Sequence, residues 1–272
     1  MYQNCCRFDR REKFAVCDRR TRSRFLPSVE MTNLEGAGWA RCDSRALHPR
    51  WTVVDVESQA RNFARTKGAM DMTTQTVLNV GGNSKTTRMP GHFDGWQQLY
   101  LDIDPRWKPD VLCDARLLSS QPAQQFDAIF CSHNLEHYYA HDGLKVLDGF
   151  LHVLIDTGFA EVVVPDIRAT MTAMLENSLD IEDPLYKSPA GPISAHDVIY
   201  GYGPEIEKSG QDFMAHKTGF TQKSLLATLT RAGFPFVFSQ LRTFEVRALA
   251  FKVAPTPAQQ AMFGLPSAAS GS

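Results

Sequence analysis

The chain lacks most of the features that would tie it to a membrane, a secretory route or a nucleic acid. No stretch approaches the roughly eighteen continuous apolar residues of a membrane-spanning helix. Net charge is nearly absent: 29 Lys and Arg stand against 30 Asp and Glu, leaving -1 at pH 7. That balance gives no global attraction to nucleic acid or to an anionic lipid surface. The six cysteines include no C-x-x-C pair, so a zinc site built on that motif has no support and no metal is expected. Reduced thiols in a cytoplasmic protein are the expectation for such cysteine usage. The N-terminus carries no apolar core of a secretory signal, and no internal repeat is visible. A small molecule or a protein surface remains as the partner.

What is present fits one α/β domain with additions in 272 residues, 43% of them hydrophobic. Residues 1–54 read as an irregular or disordered extension. They are rich in arginine (Arg7, Arg10, Arg11, Arg19, Arg20, Arg22, Arg24) with acids interspersed, and hold Cys5, Cys6, Cys17 and Cys42. Residues 55–71 predict a short helix on the face of Val56, Ala60, Phe63 and Ala64. Strands follow at α/β spacing: Thr76–Val80, Gln98–Asp102, Asp110–Asp114, Phe126–Ser132 and Phe159–Val164. Pro90, Gly91 and Gly95 keep the first crossover short. Leu144, Leu147, Phe150, Leu151 and Leu154 predict a helix over Gly143–Ile155. This alternation points to a mostly parallel sheet with right-handed crossovers.

Residues 166–222 break the rhythm with a helical Asp166–Asn177 and Pro-, Gly- and Tyr-rich runs. They are expected to form a lid or substrate insertion at the carboxyl edge of the sheet. Thr221 caps a helix that runs to Gly233. Pro235–Gln240 and Val246–Val253 then predict two antiparallel strands, and residues 255–272 a flexible tail.

The chemistry gathers at strand ends, where ligands bind in a doubly wound sheet. Asn79, Gly81 and Gly82 fill the turn after the first strand, and glycine there lets backbone approach a ligand. The turn is not G-x-G-x-x-G, which disfavours a nicotinamide cofactor. Asp102 ends the second strand, about twenty residues on, where a carboxylate can accept both hydrogen bonds of a ribose diol. Asp104 reads as its solvated neighbour. Asp114, ending the third strand, is placed to accept from an adenine amino group.

Together LNVGGNS, LDIDP, DVLCDARLL, FDAIFCSHNLEHY and VVVPDI resemble the class I S-adenosylmethionine (SAM) dependent methyltransferases, in particular the type 11 group. MAHKTGFTQKSLLATLTRAGF is similar to a late His-containing segment of such chains, so the resemblance spans roughly residues 76–253. It implies a Rossmann-like α/β fold whose seven-stranded, mostly parallel sheet has one antiparallel strand, within a domain covering 55–254. It further implies that SAM is the cofactor. Gly81, Gly82 and Asn83, with Asn79, would line its methionine part, Asp102 and Ile103 its ribose, Asp114 and Ala115 its adenine. Ser132 and His133 would face the sulfonium. The chain departs from the family at Asn79, where an acid is usual, and at Asn83, where a third glycine is usual. It departs again at Ile155–Gly158, where Lys-Pro-Gly-Gly is usual.

The implied reaction moves a methyl group to an oxygen or nitrogen of a small molecule, a sugar or secondary metabolite. His137, Asp166 and His216 are the candidate catalytic residues, with Asp166 orienting the imidazole. Tyr200, Tyr202, Phe213 and Phe220 are candidate substrate contacts. The expected partner is a small-molecule acceptor, with no nucleic acid and no membrane, and the sequence permits a homo-oligomer. The alternative is a partner protein that keeps the fold without turnover. A remote alternative is a zinc metalloprotease, because His133-Asn134-Leu135-Glu136-His137 matches H-x-x-E-H.

Overall fold

Val77, Leu78 and Val80 are wholly buried in a five-residue strand, β2 (Thr76–Val80). A run without polar alternation belongs at the centre of a sheet covered on both faces. The computed structural model describes residues 52–55 (as backbone), 74–82, 89–189 and 191–266. The expected helix over 55–71, apart from Asp55, which ends a strand, lies outside these, as do most of the N-terminal extension, Asn83 and the last six residues.

β1 (Thr52–Asp55) precedes β2. β3 (Gln97–Asp102), β4 (Val111–Leu112), β5 (Phe126–Ser132), α1 (Ala140–Val153), β6 (Leu154–Pro165) and α2 (Ile167–Glu176) follow. A hairpin of β7 (Pro184–Ser188) and β8 (Gly191–Ser194) leads to α3 (Ala195–Tyr200) and α4 (Gly203–Ser209). The chain closes with α5 (Gln222–Ala232), β9 (Phe236–Arg242), β10 (Glu245–Phe251) and α6 (Pro257–Phe263). The main sheet has the order β1-β9-β10-β6-β5-β2-β3-β4. β4, β3, β2, β5 and β6 are parallel, and β10 runs antiparallel to both its neighbours. This is the Rossmann-like sheet that was expected, seven-stranded and mostly parallel with one antiparallel strand. An eighth strand is added: β1 pairs antiparallel with β9, so the segment taken as extension contributes a sheet edge at its end.

Side chains alternate between two cores. One holds Leu78, Val80, Ile129 and Cys131 under Leu147 and Phe150 of α1 and Leu225 and Leu229 of α5. The other holds Val77, Ala128, Phe159, Leu249 and Phe251 with Phe93, Phe263 and Leu265. Phe93 and Phe159 stack with ring centroids 6.2 Å apart, and Phe263 meets Phe159 edge-on at 5.1 Å. Such pairs add to plain area burial.

Three expectations need correction here. Residues 257–265 are not a flexible tail. Thr256 and Gln259 close a capping box, and Phe263 and Leu265 are buried in the second core. The helix expected over Gly143–Ile155 stops at Val153. Leu154 is extended and pairs with Phe126, so Leu154 and Ile155 already belong to β6. Phe220 is 5% exposed within the first core and is not a free substrate contact.

Candidate active site

β2 has β3 on one side and β5 on the other, so the strand order reverses there. Crevices for ligands open at the carboxyl ends of strands at such a point. A cleft of about 220 Å³ lies there, lined by Gly81, Asp102, Asp114, His133 and Asn134 from the ends of four successive parallel strands. Phe213, Met214 and Lys217 of the 166–222 insertion and His137 and Tyr138 also line it.

Gly81 adopts φ +73°, and its N–H donates to the Leu101 carbonyl at 2.9 Å, extending the ladder into the turn. A Cβ on Gly81 would sit 2.0 Å from Asn134 Nδ2. Backbone conformation and close approach thus both demand glycine. A Cβ on Gly82 would fall 2.6 Å from Asn79 Nδ2, so the buried Asn79 side chain fills the space beneath the turn.

The aspartates at strand ends share one local device, a carboxylate accepting from the backbone N–H two residues on. Asp102 Oδ1 accepts from Asp104 N–H at 2.8 Å, and burial pushes its pKa up against that bond. Asp104 is not the solvated neighbour expected: it is 5% exposed, caps the 3₁₀ turn Pro105–Trp107, and is gripped by the Arg106 guanidinium. Asp114 lines the cleft, yet Arg116 donates to both of its oxygens. Burial works against the Asp114 charge, and those bonds more than offset it, holding its pKa below the usual range. Asp166 Oδ1 accepts from Arg168 N–H at 2.9 Å and caps α2. Asp166 is absent from the cleft lining, so the expected pairing with His137 gives way to a capping role.

The H-x-x-E-H run does not lie on an α-helix. Its centre, Leu135–His137, is a single 3₁₀ turn, and His133 before it sits at φ +49°. His133 Nε2 pairs with Glu245 Oε1 at 2.9 Å. Desolvation lowers the His133 pKa, but the carboxylates of Glu136 and Glu245 outweigh it and raise the value to about 10. The protease arrangement, with His133 and His137 on one helical face, is therefore not formed.

His137 instead meets His216, their rings 4.8 Å apart and nearly perpendicular. His137 Nδ1 donates to the Ala215 carbonyl at 3.3 Å, and His216 Nδ1 to the Val198 carbonyl at 2.9 Å. Glu136 lies beside them, 1% exposed. Its burial disfavours the charge, but His133, His137 and His216 hold its pKa below the usual range. Burial lowers the His216 pKa against the pull of Glu136.

Among the remaining expected residues, Ile103, Ala115 and Phe213 line the cleft, whereas Ser132, Tyr200 and Tyr202 do not. Tyr200 faces His196, with ring centroids 5.0 Å apart. Asn134 and Lys217 of the lining, and Glu136 as the companion of His216, were not anticipated. Asn134 had a signal, standing directly between His133 and the Leu-Glu-His segment.

No protein-family model and no curated protein matches this chain. Solved structures do. A SAM-dependent methyltransferase from Archaeoglobus fulgidus is 15% identical, with 65% of this chain and 86% of that one covered at a TM-score of 0.41. The 1,6-didemethyltoxoflavin-N1-methyltransferase of Burkholderia thailandensis, solved with that compound and S-adenosylhomocysteine, is 18% identical. It covers 67% of this chain and 73% of its own, at a TM-score of 0.41. An O-methyltransferase family protein from Burkholderia thailandensis is 10% identical over 68% of this chain and 53% of its own, at 0.37.

Proposed function

We propose that this protein is a SAM-dependent methyltransferase that modifies an oxygen or nitrogen of a small molecule. The observation that carries the reading is the cleft at the sheet's reversal point. There the positive-φ Gly81 turn and the buried Asp102 carboxylate face one space. These residues fit the cofactor chemically. A turn that excludes side chains admits a ligand close to backbone, and a desolvated carboxylate is suited to accept from a ribose diol. The cofactor, when bound, supplies a methyl group on a sulfonium.

In this reading Asp102 and Ile103 hold the ribose side, Ala115 packs the adenine, and Gly81 with Asn134 borders the methionine end. Asp114, neutralised by Arg116, contributes an edge of the adenine pocket rather than a free charge. Phe213, Met214 and Lys217 of the insertion close the acceptor side, excluding water and aligning the nucleophile. A proton leaving an oxygen or nitrogen acceptor has His137, which lines the cleft, as its candidate base. Residues 55–254 form the catalytic domain in this reading, with 166–222 as its lid.

Calorimetric titration with SAM and with S-adenosylhomocysteine tests it, and micromolar binding of both is expected. Asp102→Ala should weaken that binding by about 1–3 kcal/mol, the range for losing hydrogen bonds to a charged acceptor. Unchanged affinity in a folded Asp102→Ala protein would remove Asp102 from the site. Binding without turnover on any hydroxyl or amine acceptor would favour a partner protein that keeps the fold.

A further inference from the structure

We infer that Glu136, His137 and His216 form a binding site for one divalent first-row transition-metal ion, with Zn²⁺ as its natural probe. One ligand atom from each of the three lies within 4.8 Å of the others, and His216 Nε2 is 3.9 Å from Glu136 Oε1. Ligands held at about 2.0–2.1 Å around a tetrahedral ion lie roughly 3.4 Å from one another. The side chains need close by only about an ångström or so to reach that geometry. Two imidazoles and a carboxylate suit zinc and its neighbours better than Mg²⁺ or Ca²⁺, which prefer oxygen throughout.

The tautomers are already set for the task. A carbonyl oxygen can only accept, so the bonds to Ala215 and Val198 place the protons of His137 and His216 on Nδ1. That leaves Nε2 of each ring with its lone pair free, and His216 Nε2 lies 3.9 Å from Glu136 Oε1. Outer-shell bonds of this kind are what orient metal-binding histidines. The second, independent observation is Glu136 itself. It is 1% exposed, and neither of its side-chain oxygens has a hydrogen-bond partner. His133 Nδ1 stands 3.6 Å from Glu136 Oε1, too far for a hydrogen bond, and its Nε2 is taken by Glu245. A buried carboxylate with no hydrogen-bond donor, and with imidazoles no nearer than 3.6 and 3.9 Å, has room for a closer cation.

The frame is stiff. The N–H groups of Lys217 and Thr218 donate to the Glu136 carbonyl at 2.8 and 3.1 Å. Thr218 Oγ1 donates to the Tyr138 carbonyl at 2.8 Å, and His216 N–H to the Tyr200 carbonyl at 3.0 Å. His137 also lines the cleft, so the ion would have one side facing it. Three protein ligands and an open position make up a catalytic rather than a structural zinc site.

The experiment is a titration of the full chain, stripped with chelator, with Zn²⁺ in competition with a chromophoric chelator and separately with Co²⁺. One equivalent is expected, with a visible cobalt spectrum of nitrogen and oxygen ligands and no thiolate charge-transfer band. Glu136→Gln and His216→Asn should each weaken uptake by roughly 100-fold or more, beyond the loss of an outer-shell partner. Circular dichroism checks that both are folded, and His216→Asn alone decides the matter if Glu136→Gln does not fold. Absence of stoichiometric uptake, a thiolate signature, or uptake unchanged in the folded variants would overturn the site. No SAM is present in the titration, so its failure would leave the methyl-transfer reading standing, and the reverse holds too. With a metal bound, the two Nε2 lone pairs are ligands rather than bases, so the same titration decides which use the histidine pair serves.

Discussion

Glu161 and Glu136 are equally hidden from solvent, at 0% and 1% exposure, but they sit in opposite company. Glu161 is in the middle of β6, inside the aromatic core. Arg247 Nε donates to one of its oxygens at 2.6 Å and His92 Nε2 to the other at 2.7 Å. The Arg247 guanidinium lies 5.5 Å over the Phe263 ring. Glu136 lies beyond the end of β5, and its two oxygens have no hydrogen bond at all. A buried charge that is fully paired belongs to the frame. One that has no hydrogen bond, with only imidazoles at 3.6 and 3.9 Å, leaves room at the carboxyl edge of the sheet for a closer cation.

The sharpest way to break that comparison is to remove each charge in turn. Glu161→Gln leaves Arg247 buried without its carboxylate and should cost about 3–5 kcal/mol, the range for breaking one side of a buried ion pair. Urea unfolding measures it as a lowered midpoint with unchanged slope. A loss under about 1 kcal/mol would mean that the pair is not part of the frame.

The pH dependence follows from the same pair. Burial disfavours the Glu161 charge, but His92 and Arg247 together hold its folded pKa below the ordinary carboxylate range. A depressed folded pKa adds stability that is complete above the unfolded value and is lost as pH falls through it toward the folded value. The gap in urea midpoint between the protein and Glu161→Gln should therefore be full at pH 7 and shrink below about pH 4. A gap that stays constant down to pH 3 would contradict the pairing.

Gly81→Ala tests the sheet edge. A left-handed backbone costs an L residue about 1–2 kcal/mol, and the new Cβ would meet Asn134 Nδ2 at 2.0 Å. The expected result is that modest destabilisation together with loss of SAM binding, while zinc uptake persists. Retained affinity for S-adenosylhomocysteine would separate the turn from the cofactor site.

The parts of this fold legible in the sequence are those fixed by local pattern. Val77, Leu78 and Val80, and the unbroken Ala128–Cys131, make apolar runs that need burial on both faces, and the aspartates at their neighbours' ends mark where strands stop. α6 was missed despite a local signal: Thr256-Pro257-Ala258-Gln259 is a capping box with proline at the first helical position. Its shortness hid it, and its stability comes from Phe263 docking far away in sequence. The burial of Asp104 depends on Arg106 folding back over it, which spacing alone does not reveal. The cluster at Glu136 was the least visible, because His216 arrives from 80 residues downstream through the Lys217 and Thr218 N–H bonds to the Glu136 carbonyl and the Thr218 hydroxyl bond to the Tyr138 carbonyl. No periodicity encodes such a meeting. Its letters were readable only as H-x-x-E-H, which named the right glutamate and one right histidine but the wrong second histidine.

The smallest expected effect is also the most telling. Glu136→Gln removes a buried charge that has no hydrogen bond and meets His133 and His216 only at 3.6 and 3.9 Å, so in metal-free protein it should cost clearly less than Glu161→Gln. The contrast should reverse when zinc is added. A ligand that binds only the folded state stabilises by RT ln(1 + [L]/Kd), about 2.7 kcal/mol at a hundredfold excess over Kd. That gain should appear as a higher melting temperature in the unaltered chain and be absent in Glu136→Gln. Were Glu136→Gln as damaging as Glu161→Gln in the absence of metal, His133 would already be serving as the partner of Glu136, and both glutamates would belong to the frame.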